Sequence, residues 1–196
     1  FAHQVEPGTI VSTTHKNAIQ QTKLWVEQVV IGLNLCPFAS KPVKDNKVAY
    51  IAAGDATMEQ HLQQLADCFK QLDSEPGTET SLLIFPESYQ SFDNYLELLY
   101  LSNLLLDDLR YTGVYQLASF HPAYCFENSD ENDAANFTNR SPYPMLHIIR
   151  ESSLEKAIAG FEGIEKVPER NVSTLRHLGY HKMEQTLQEI LQAEEN

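Results

Sequence analysis

Two strand–helix–strand units follow one another in this chain, and that order limits the folds open to it. Val48–Ala52, Ser81–Phe85 and Gly113–Phe120 are short, mainly apolar runs bounded by turn residues, and they read as strands. Between the first two, Met58, Leu62, Leu65, Ala66, Phe69 and Leu72 recur at the spacing of one helix face, with Thr57 and Gln60 forming a capping box ahead of them. Between the second and third, a leucine-rich helix over residues 92–109 is apolar on more than one face, which places it in the interior. Helical crossovers of this kind join parallel strands. A further strand, Met145–Ile149, follows a long loop with no helix before it, so it is free to pair antiparallel.

The expected architecture is α/β or α+β: a single domain over residues 15–196 behind a tail over residues 1–14, with about four strands in a mixed, partly parallel sheet, flanking helices and a helical C-terminus. A helix over residues 17–35, stopped by Pro37, precedes the first strand. Helices over residues 153–159, 168–178 and 183–193 follow the last, the second of them closed by Gly179.

Net charge is −13, and no basic stretch offsets it. Such a field repels nucleic acid and anionic lipid, and no apolar run is long enough to cross a membrane, so neither is expected as a partner. The three cysteines are an odd number with no CxxC, which fits a reducing, cytoplasmic setting. Of five arginines, four fall after position 139. They suit either an anion site or pairing with the acidic residues around them.

The polar residues concentrate in Phe120–Phe126 and Asn136–Arg150. His121 ends a strand and precedes a proline, where a histidine can act as acid/base group, metal ligand or hydrogen-bonded structural residue. Asn139, Arg140 and Ser141 precede Pro142 and Pro144, which restrict the backbone that presents them. Ligands in parallel sheets sit beyond the strand carboxyl ends, which here carry Asp55, Glu87 with Ser88, and His121; Arg150, or Arg140 in its place, joins them according to the direction of the last strand. His147 lies inside that strand and reads as a satisfied core residue. Cys36 closes the first helix, whose C-terminal dipole disfavours a thiolate. His61 reads as solvated on a helix surface, and Cys68 as a half-buried thiol beside the apolar stripe. Phosphate-binding loops, dinucleotide fingerprints, GxSxG and EF-hand patterns are absent.

Asn34-Leu-Cys-Pro-Phe-Ala39, Ala118-Ser-Phe-His-Pro122, Asn136 through Arg150, and Glu169 through Arg176 together resemble an uncharacterised bacterial, proteobacterial family with a domain of unknown function. The resemblance covers nearly the whole chain after the first dozen residues. It implies a cytosolic, single-domain protein and supplies no reaction and no cofactor.

Three functions follow from the residues. The first is an enzyme for an anionic small molecule, with Asn139, Arg140, Ser141 and Arg150 binding the anion, His121 as the acid/base group and Cys36 as a nucleophile. The second is a non-catalytic binding or regulatory module. The third is a metal-binding protein using Cys36 with His121 and His147.

Overall fold

The computed structural model describes residues 12–194. The expected tail lies mostly outside them. Its last residues belong to a helix already: Ser12 caps it, accepting the His15 N–H at 3.2 Å, and α1 runs Thr13–Trp25. The chain then winds as a π-helical turn over Val26–Ile31, with the Gly32 N–H donating to the Glu27 carbonyl at 3.0 Å. The remaining helices are α2 (Ser40–Lys44), α3 (Met58–Ser74), α4 (Phe92–Asp108), α5 (Glu151–Ala159), α6 (Val167–Leu178) and α7 (Tyr180–Leu191).

The strands are β1 (Val48–Ala52), β2 (Thr80–Ile84), β3 (Tyr115–Phe120) and β4 (Met145–Arg150). They form one mixed sheet in the order β1-β2-β4-β3. β1 and β2 pair in parallel, Val48 opposite Thr80 and Ala52 opposite Ile84. β4 lies between β2 and β3 and is antiparallel to both, so Leu82 and Ala118 flank His147. The α4 crossover leaves one strand position open beside β2. β4, which returns without a crossover helix, fills it antiparallel to both neighbours. The carboxyl ends of β1, β2 and β3 therefore share an edge with the start of β4, and Arg150 lies at the opposite edge.

α3 and α4 cover one face. Leu65, Phe69 and Leu72 from α3 and Tyr95 and Leu98 from α4 are buried against Leu83, Leu146 and Ile148. Each such side chain contributes roughly 1.5–3 kcal/mol by leaving water. The capping box forms as expected, Thr57 N–H donating to Gln60 Oε1 at 3.0 Å and Gln60 N–H to Thr57 Oγ1 at 3.3 Å. Helix α4 differs from expectation: Leu96, Tyr100 and Leu104 stand exposed, because only the side toward α3 and the sheet is covered. Cys68 is fully buried rather than half-buried. His61 is buried too, with Nδ1 2.7 Å from the Tyr89 hydroxyl and Nε2 2.9 Å from the Gly54 carbonyl.

On the other face, Trp25 and Val29 from the first helix, Leu175 from α6 and Met183 from α7 pack on Leu82, Ile84 and Met145. Gly179, at φ 85°, makes the turn between α6 and α7 in a region that residues with a Cβ avoid. This second layer is incomplete, and the gap in it forms a pocket.

Candidate functional site

The polar loop over residues 121–144 carries four of the expected site residues, His121, Asn139, Arg140 and Ser141. His121 is buried, and its Nδ1 accepts the Ala123 N–H at 2.9 Å. Nε2 therefore carries the proton and donates to the Tyr89 carbonyl at 2.8 Å. Burial pushes its pKa below the ordinary value, so the ring is neutral with both nitrogens occupied.

Arg140 is also buried, donating from Nε to the Tyr124 carbonyl at 2.9 Å and from Nη2 to the Glu131 carbonyl at 2.8 Å. Its guanidinium lies over the rings of Phe137, at 5.0 Å, and Tyr180, at 5.6 Å. Asn139 Nδ2 donates to the Ser119 carbonyl at 2.9 Å, and Ser141 Oγ to the Tyr143 carbonyl at 2.6 Å. Buried Asn136, unassigned by the sequence reading, holds the Phe126 N–H at 3.0 Å and the Asp130 carbonyl at 2.8 Å. The loop is tied to α6 by Arg176, bonded twice to Asp133 at 3.0 and 2.7 Å. Those bonds, with the Ala135 N–H, lower the Asp133 pKa to about 2.

The structure thus gathers His121, Asn139, Arg140 and Ser141 in one loop and places Cys36 and Arg150 elsewhere. Arg150 donates from Nη2 to the carbonyls of Leu72, at 2.7 Å, and Thr78, at 3.1 Å. Arg170 donates to the Asn34 carbonyl at 2.8 Å. Three of the four late arginines so hold backbone carbonyls, a use that neither pairing nor anion binding anticipates.

A pocket of about 190 Å³ opens over the uncovered part of the second sheet face. Its floor is Val48 and Tyr50 of β1, Thr80 and Leu82 of β2, and His147 and Ile149 of β4. Its walls are Val26 and Val30 of the π-helical turn, Phe38 and Val43 around α2, and Leu154 and Ala157 of α5. The π-helical winding sets where those two valines fall, and such turns recur at functional positions. His147, on an inner strand, remains only half-buried because the pocket lies above it.

Thr80 fixes the state of His147. Its Oγ1 is 2.6 Å from the Ile148 carbonyl and 2.6 Å from His147 Nε2. A hydroxyl has one proton, and the carbonyl can only accept, so the Thr80 proton goes there. His147 Nε2 must then be the N–H that Thr80 accepts. The Nδ1 lone pair is left without a partner among the described residues, on a ring that lines the pocket. His147 is therefore half-satisfied rather than a fully satisfied core residue.

Burial keeps His147, Cys36 and Tyr50 neutral. It pushes the His147 pKa down to about 4, the Cys36 thiol up, and, with Glu27 nearby, the Tyr50 phenol up to about 12. The backbone N–H groups of Phe38 and Ala39 face the Cys36 sulfur and partly counter that rise. So Cys36 ends one helix yet is also met by the amides leading into α2, which the sequence reading missed. Trp25, the only tryptophan, is another lining residue.

Among the described residues, no three His, Cys, Asp or Glu side chains are grouped as a metal ion requires. None of the helices there is long and apolar enough to cross a membrane.

Fold and site together define a four-stranded mixed α+β domain with an apolar pocket on one sheet face. The chain belongs to the family described as Protein of unknown function (DUF1415), which it matches over residues 17–185. No curated protein and no solved structure matches it.

Proposed function

We propose that this protein binds a small, mainly apolar molecule in the pocket above β1, β2 and β4. One observation carries the reading: the cover over an inner sheet face is missing at His147, so apolar surface that folding would bury is left open to a ligand. Concave, apolar sites with a few placed polar groups are the usual form of small-molecule pockets. An apolar cavity of about 150 Å³ accommodates benzene. The space here, about 190 Å³, has room for one substituted ring.

The polar loop supports this reading from outside the pocket. Arg140 already uses Nε and Nη2 donors on the Tyr124 and Glu131 carbonyls inside the loop itself, and both His121 nitrogens are occupied.

Trp25 provides the test. Titration with p-xylene, followed by Trp25 emission and by melting temperature, is expected to give a saturable change and a raised Tm. Ala157→Phe, which fills the pocket from α5, is expected to abolish both responses. No saturable response in the unaltered protein overturns the proposal.

A further inference from the structure

We infer that the pocket selects a neutral ligand bearing a hydrogen-bond donor, of the phenol or compact alcohol class, which it holds through Nδ1 of His147. The inference deepens the binding reading above and rests on it.

The geometry leaves Nδ1 one role. With Nε2–H held by Thr80 and the Thr80 proton held by the Ile148 carbonyl, Nδ1 is an acceptor and has no proton to offer. A tautomer switch would set two lone pairs against each other at Thr80 Oγ1. A phenol or alcohol O–H completes the chain: ligand to His147, His147 to Thr80, Thr80 to the Ile148 carbonyl. Each link orients the next, which strengthens it in a low-dielectric setting. A carboxylate sets its lone pairs against the lone pair of Nδ1 and gives up its hydration on entering a mainly apolar pocket.

The surroundings agree. The Tyr50 phenol and Cys36 thiol are kept protonated by burial, so neither offers a charge to an ion. Two charged residues at the rim are already engaged: Glu79 with Lys47 at 3.0 Å, and Arg150 with the Leu72 carbonyl at 2.7 Å. A bare hydrocarbon fits the space but leaves Nδ1 unpartnered. Discrimination among ligands of one shape then turns on the acceptor at His147 Nδ1.

The experiment compares three para-substituted toluenes: p-cresol, p-xylene and p-toluate at neutral pH, read by Trp25 emission and calorimetry. p-Cresol is expected to bind roughly ten-fold more tightly than p-xylene, the contribution of one neutral hydrogen bond, and p-toluate more weakly than either. His147→Leu is expected to remove the preference while p-xylene still binds. Should that variant fail to fold, Thr80→Val serves instead: it frees the tautomer and is expected to narrow the gap between p-cresol and p-xylene. Equal binding of p-cresol and p-xylene overturns the inference and leaves the pocket reading standing, as does tightest binding of p-toluate. Absence of binding by all three overturns both.

Discussion

His121 and His147 lie at two ends of the same comparison. One sits in the densest polar segment of the chain, buried, with an amide donating to one nitrogen and a carbonyl accepting from the other. The other sits in an apolar strand with one nitrogen bonded and one free of any partner among the described residues. The loop around His121 uses its polar groups to define its own shape. The pocket around His147 has few polar groups, and among the described residues both His147 Nδ1 and the buried Nε1 of Trp25 lack a partner. The proposed ligand site thus lies at an apolar cavity with an unpartnered acceptor, not where polar residues are densest.

Breaking the loop is expected to cost the most stability. His121→Ala leaves the Tyr89 carbonyl and Ala123 N–H without partners and opens a cavity, so chemical denaturation should show a loss of about 3–4 kcal/mol. His147→Leu, whose neighbours Thr80 and Ile148 keep their bond, should stay within about 1 kcal/mol of the unaltered protein. Equal losses at the two positions would erase the distinction.

Acid sharpens the comparison next. The folded chain protonates His147 at about 4, against an ordinary value of 6.5, so between those limits the unfolded chain binds more protons. Stability should be full above pH 6.5 and fall toward pH 4, by at most roughly 3 kcal/mol from this residue. The lowered pKa of His121 acts in the same direction. Denaturation midpoints across that range should show a shallower fall for His147→Leu.

Smaller effects are expected from Arg140→Met and Gly32→Ala. The first leaves two carbonyls without their donor and should cost about 2 kcal/mol in melting experiments, with p-xylene binding unchanged. In the second, a Cβ would stand 2.3 Å from the Gln28 carbonyl oxygen, so the π-helical wall has to shift. A loss of about 1–2 kcal/mol and weaker p-xylene binding should follow. The smallest signal is chemical: p-cresol should slow alkylation of Cys36, which lines the pocket, and leave that of partly exposed Cys125 unchanged.

Much of the fold is legible in the sequence because its cues are local. Val48–Ala52 is bounded to the residue, the Thr57–Gln60 box starts α3 as expected, and Pro168 and Gly179 bracket α6. The π-helical turn is not legible, since Val26 to Ile31 carries the same apolar spacing as an ordinary helix. Nor is the pocket, whose lining comes from segments as distant as Val26 and Leu154 and whose existence depends on a gap between helices. The tautomer of His147 depends on Thr80, 67 residues away, and on a strand register that no local pattern encodes. His121 is prominent for the opposite reason: its polar neighbours cluster in one stretch of sequence, and the bonds that satisfy them stay largely within the same loop.

A crystal structure of the protein soaked with p-cresol gives the most direct test. Density for one ring over β1, β2 and β4, with its hydroxyl about 2.6–3.2 Å from His147 Nδ1, is the expected result. An empty pocket at saturating p-cresol, or a ring bound instead beside Arg140 in the loop, would contradict it.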